Sequence, residues 1–157
     1  MNAPQQPAAA TDPPLQHLDE SLIRHRLSRA KFARLAFVDG DQPMVVPINI
    51  TTDRAERIVF RTASRGLLGG LDGQKVAVEI DGHDPALRSG WSVLVLGVAR
   101  DVTDAADTDA QQLRALPVDT WAPGERGRCF AVLPLSISGR VIPIGDADDW
   151  FAGVPGS

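Results

Sequence analysis

Arg61, Thr62, Ser64 and Arg65 stand together in the run FRTASRG, a set of side chains suited to holding a phosphate. The planar fork of arginine meets two phosphate oxygens at once. Ser64 is placed to cap a short helix over SRGLLGGL, and the first turn of a helix presents unpaired amides that attract anions. The competing reading is that both arginines pair with carboxylates such as Glu79 and Asp81 on the next strand, or stand in water. Surface arginines are common, so the residues alone favour that second reading.

A second segment with chemical potential is MVVPINIT, residues 44–51. Its alternation puts Met44, Val46, Ile48 and Ile50 on one face of a strand and Val45, Pro47, Asn49 and Thr51 on the other. Pro47 removes a ladder donor from inside this run, and proline is tolerated in sheets mainly at edges or bulges. Pairing is therefore expected to break there. An edge strand is the plain interpretation, and a backbone edge left free to meet a planar ligand is the functional one.

Several other chemistries find little support. His17, His25 and His83 are scattered, with no second histidine or cysteine at ligand spacing, so no metal site is expected. Ser92 lies in a strand pattern, and Leu94 occupies the position where a nucleophile elbow needs glycine. Walker and G-x-G-x-x-G loops are missing. The single cysteine, Cys129, can form no intrachain disulfide, and its apolar setting suits a buried thiol in a reducing compartment. The net charge of -4 argues against a nucleic-acid partner. No run approaches the apolar length of a membrane span and no signal-peptide pattern opens the chain, so a cytoplasmic location is expected.

These residues need a β scaffold. RLAFVD, MVVPINIT, RIVFRT, KVAVEID and GWSVLVLGVARDV read as strands, and RCFAVLPL and SISGRVIPI as a return that closes the sheet. In the longest, Trp91, Val93, Val95 and Gly97 share a face, and Gly97 permits a bend or a close backbone approach. Trp91 reads more readily as core than as a ligand platform. A helix is expected from Asp19, capped by Asp19 or Ser21, packing Leu18, Leu22, Ile23, Leu27 and Ala30 on the sheet. A second is expected from Thr103 or Asp104 to Leu116, with Ala106, Ala110, Leu113 and Leu116 inward. At 157 residues the chain suits one domain over residues 15–145, between a flexible tail at 1–14, rich in Pro, Ala and Gln, and a peripheral tail at 146–157.

The wording of the strands adds a resemblance. VPIN at 46–49, FRT at 60–62, VEID at 78–81 and GWSVLVLG at 90–97, in that order, resemble the pyridoxamine 5'-phosphate oxidase-like family over residues 18–142. That resemblance implies a mainly β chain with short flanking helices, folded as a six-stranded antiparallel split β-barrel of the FMN-binding type. It further implies a homodimer with flavins at the subunit interface. By the same analogy Val46, Pro47, Ile48 and Asn49 lie along the isoalloxazine ring, and Arg61, Thr62, Ser64 and Arg65 near the phosphate. Trp91 and Ser92 border the pocket, and Arg140 reaches the partner's site. The chain departs from the family pattern at Leu67, which stands where relatives carry a phosphate-binding lysine, and at Ile50, Leu96 and Val141. One lost charge-assisted contact is worth about 1.5–3 kcal/mol of affinity.

Three functional readings follow. The first is an FMN-dependent oxidoreductase acting on an unknown small molecule. The second is a non-catalytic binding protein of the same fold for a deazaflavin, haem or other ligand. The third is a degenerate, cofactor-free dimer.

Overall fold

A computed structural model describes residues 16–86 and 89–142. The tails expected at 1–14 and 146–157 lie outside the described residues. Six antiparallel strands close on themselves: β2 (Phe32–Asp39), β3 (Gln42–Thr52), β4 (Ile58–Thr62), β5 (Lys75–Asp84), β6 (Ser89–Asp101) and β7 (Arg128–Ile142). The ring runs β7, β4, β3, β2, β5, β6 and back to β7, with the two-residue β1 (Gln16–His17) added on β7. This is the split barrel that the resemblance implies, with one short strand beyond the six. No helix among the described residues is long and apolar enough to cross a membrane.

Alternation decides what faces inward. Leu35 and Phe37, Ile48 and Ile50, Ile58 and Phe60, Val76, Val78 and Ile80, Val93 and Val95, and Phe130 and Val132 fill the barrel. Phe60 and Phe130 stack at its centre, 5.5 Å apart. Helix α1 (Glu20–Arg29) inserts Ile23 and Leu27 into this core, and its N-cap Asp19 accepts from Leu22 N–H at 2.9 Å. Leu22, expected on the apolar stripe, is 42 % exposed instead.

A second, outer core forms where α2 (Thr108–Ala115) lays Ala110 and Leu113 over Val59, Val102, Cys129 and Ala131. This helix starts later than its sequence suggests. The Asp101 carboxylate accepts from both Thr103 N–H and its hydroxyl, which turns the chain before helix can form. Asp107 is the N-cap, accepting from Ala110 N–H at 2.9 Å, and Ala106 is exposed.

Pairing is incomplete at two places, and these openings matter for function. Strand β3 meets β4 only from Ile50 to Thr52, so its residues 42–49 pair with β2 alone. Strand β2 meets β5 only through Arg34–Glu79, Leu35–Val78 and Ala36–Ala77, so the start of β2 and the end of β5 diverge.

Candidate functional site

The first opening is where the sequence placed a phosphate cradle. Ile50 N–H donates to Lys31 O, on the β2 side. Backbone groups alternate along a strand, so the N–H groups of Val45 and Asn49 face the other way, toward the edge that no strand pairs. Pro47 sits between them and contributes only its carbonyl. Its missing donor falls where no ladder partner exists, which is why the residue is accommodated and pairing stops. Val46 and Ile48 point inward; Pro47 is exposed and Asn49 half-buried. The Asn49 side chain is tied at both ends, donating to Lys31 O at 3.3 Å and accepting from Trp121 N–H at 2.9 Å. Trp121 in turn stacks on Phe32, with ring centroids 5.7 Å apart.

Continuing the β3–β4 register past Ile50–Phe60 carries Arg61 alongside Asn49 and Thr62 alongside Ile48. The two strands have parted there, and the turn bearing Ser64 and Arg65 follows. Arg61 is half-buried beneath α2 and donates to the carbonyl of Arg114 at 2.6 Å. It serves the helix C-terminus rather than pairing with a carboxylate. The carboxylates suggested as its partners, Glu79 and Asp81, belong to Arg34, at 3.1 and 2.9 Å; Asp81 first and then Glu79 raise that guanidinium's pKa. Arg65 is exposed and makes no ion pair or hydrogen bond with the described residues.

The helix expected after Ser64 is a single 3-10 turn, Leu67–Gly70, whose N-cap is Gly66 at φ 147°. No side chain caps it. Ser64 falls two residues early and packs on the loop before β7, where a Cβ on Gly127 would lie 2.6 Å from its hydroxyl. The turn is held from below by Arg128, which donates to Gly69 O at 2.7 Å. Leu67 is 45 % exposed.

Trp91, Ser92 and Arg140 form a separate group. Ser92 pairs with Arg140 across β6 and β7, and Arg140 is exposed. Around the ring, β2 and β5 separate Trp91 and Ser92 on β6 from β3, and β4 separates Arg140 on β7 from it. Trp91 continues the inward face of Val93 and Val95 at the barrel mouth. Its ring covers Gly82, where a Cβ would come within 2.7 Å, and the Arg26 guanidinium lies 4.4 Å from its centroid.

That stack forms one wall of the second opening, a cavity of about 360 Å³ between α1 and the parted ends of β2 and β5. Sequence reasoning assigned no ligand-binding role to its residues, His25, Arg26, Arg29, Lys31, Phe32 and Arg34. Their only signal was a density of positive charge across a helix end and a strand start. Arg26 Nε is buried and has no hydrogen-bond partner among the described residues. Leaving such a donor unsatisfied costs about 1–3 kcal/mol.

Elsewhere, burial raises the Cys129 thiol, with Arg61 and Arg114 acting against it, so it stays protonated beneath α2. No group of three His, Cys, Asp or Glu among the described residues gathers at ligating distance.

A family model described as pyridoxamine 5'-phosphate oxidase matches residues 19–141. An uncharacterized protein of Mycobacterium tuberculosis is 29% identical over 129 residues, 78% of this chain and 82% of that protein. Among solved structures, an FAD binding protein from Mycobacterium smegmatis is 26% identical, with a TM-score of 0.65 over 82% of this chain and 99% of that one. A conserved protein of unknown function from Corynebacterium diphtheriae is 29% identical, with a TM-score of 0.64 over 82% and 98%.

Proposed function

Because the chain belongs to the pyridoxamine 5'-phosphate oxidase family, we propose that it binds a flavin and, more narrowly, that it is an FMN-dependent oxidoreductase acting on a small molecule. The observation that carries this reading is the unpaired edge of β3. A flavin ring needs an apolar slot with backbone donors near its N1, O2 and N5 atoms, and its phosphate needs fixed positive charge. The edge offers Val45 and Asn49 N–H groups beside the apolar Val46, Pro47 and Ile48. Arg65 has no other partner among the described residues and supplies charge next to Thr62 and Ser64. Arg61 contributes to the local field, although its hydrogen bond to Arg114 O gives it a structural duty as well. A bound flavin would supply hydride or electron transfer, and the chain's part is to grip the ring, fix the phosphate and exclude water.

We further propose a cytoplasmic homodimer. A second copy would bring Trp91, Ser92 and Arg140 toward the β3 edge from which they are separated within one chain. The barrel's outer face offers the contact, with Val38, Val45, Leu96 and Leu135 at 52, 63, 44 and 67 % exposure. Contiguous exposed apolar surface of this kind marks interfaces.

FAD is the second reading. It is favoured by the Mycobacterium smegmatis neighbour and by Leu67, an aliphatic side chain beside the proposed phosphate site, because a dinucleotide can draw affinity from its adenylate half.

The test is the visible spectrum of purified protein, followed by FMN and FAD titrations read by flavin fluorescence, repeated on Arg65→Gln. This variant removes an exposed charge with no structural partner, whereas Arg61→Ala would also loosen α2. We expect micromolar or tighter binding, weakened roughly tenfold or more in Arg65→Gln. Absence of quenching by either flavin would sink the proposal.

A further inference from the structure

We infer that the cavity between α1 and the parted ends of β2 and β5 binds a small organic anion with a flat apolar body, such as an aromatic carboxylate or phosphate monoester. Charge is the first argument. Several arginines of this acidic chain are neutralised: Arg24 by Glu20 and Glu56, Arg57 by Asp53 and Asp109, Arg100 by Asp107 and Asp109, and Arg128 by Asp101. Around this cavity Arg26, Arg29 and Lys31 have no ion-pair partner among the described residues. The carboxylates on the rim, Glu79 and Asp81, are taken up by Arg34.

Shape is the second argument. Ala30, Phe32, Ala33, Ile80 and Trp91 give the cavity apolar walls. The Arg26 guanidinium spends its flat face on Trp91, 4.4 Å away, which leaves its N–H edge for an acceptor. The buried, unpartnered Nε on that edge is the group an incoming oxygen would satisfy. A hydrated inorganic ion would use the charge but waste the apolar wall.

The inference does not depend on a flavin at the β3 edge, which lies on the far side of β2. Calorimetry on the full chain with benzyl phosphate, benzoate, inorganic phosphate and benzyl alcohol separates the contributions. We expect benzyl phosphate or benzoate to bind at least tenfold more tightly than both inorganic phosphate and benzyl alcohol. Arg26→Gln and Arg29→Gln should each weaken that binding about tenfold, the worth of one charge-assisted contact, while Arg65→Gln should not change it. Arg29 is exposed, so its variant stays informative even if Arg26→Gln disturbs Trp91 packing. Equal affinity for all four probes, no binding, indifference to Arg29→Gln, or loss in Arg65→Gln would each overturn the inference.

Discussion

At Gly97 an added Cβ would lie 2.5 Å from the carbonyl oxygen of Leu133 and 2.7 Å from Val132 Cγ1. The nearest atom is backbone and cannot swing aside, so Gly97→Ala should cost about 1–3 kcal/mol or more through overpacking. Gly70→Ala is the control, because nothing stands within 4 Å of its added Cβ. Urea unfolding of both variants would show the difference as a lowered midpoint for Gly97→Ala alone. The sequence carried this residue's role, since glycine inside an otherwise apolar strand implies a bend or a close approach, and the β6–β7 register does step between Leu96 and Gly97. Pro47 was legible for a similar local reason. Arg61 was not: its acceptor lies 53 residues further along the chain, and no pattern around FRT points to a helix C-terminus.

Between elements, Asp101 joins the end of β6 to the start of β7. It accepts from Thr103 and pairs with Arg128, which also reaches the 3-10 turn. Burial pushes its carboxyl up, but the hydrogen bonds from Thr103 and Arg128 outweigh that and hold the pKa below its ordinary value of 3.8. A carboxyl depressed in the folded state contributes stability that is fully present above the unfolded pKa and is lost as pH falls through the folded one. Denaturation midpoints should therefore fall as pH drops from roughly 5 to 3, and the fall should be shallower in Asp101→Asn. An unchanged slope in that variant would refute the assignment. Asp101 also explains why α2 was misplaced at its start. Helical periodicity over 103–116 is real, but an aspartate that satisfies the following backbone locally delays nucleation to Asp107. Ser64 failed as a cap for the converse reason: Gly66, with its positive φ, begins the turn two residues later.

On the scale of the molecule, the strands and their inward faces were readable because alternation is a property of each strand alone, the split barrel followed from the resemblance, and the strand order came only with the structure. The two openings were not equally so. Pro47 announced the gap between β3 and β4, whereas the gap between β2 and β5 depends on where pairing ceases, and Arg34 to Ala36 gives no sign of it. The outer apolar face was hidden too, since strands of a closed barrel look alike in sequence whether their second face meets solvent or another subunit. Leu96→Asp, which puts charge at the middle of that face, should convert the proposed dimer into a folded monomer. Light scattering at micromolar concentration checks this, and a monomeric parent chain would disprove the dimer outright.

Strand β7 borders β4 on one side and β6 on the other, with Ala131 and Val132 paired to both. During synthesis the first five barrel strands therefore emerge as a sheet with two unfinished edges, neither able to bond the other directly. Only when the last described strand leaves the ribosome does a single segment seal both. The interior, Phe60 against Phe130 included, is completed in that step, so closure waits for β7. Until then the nascent chain exposes the β4 and β6 edges to any other strand in reach.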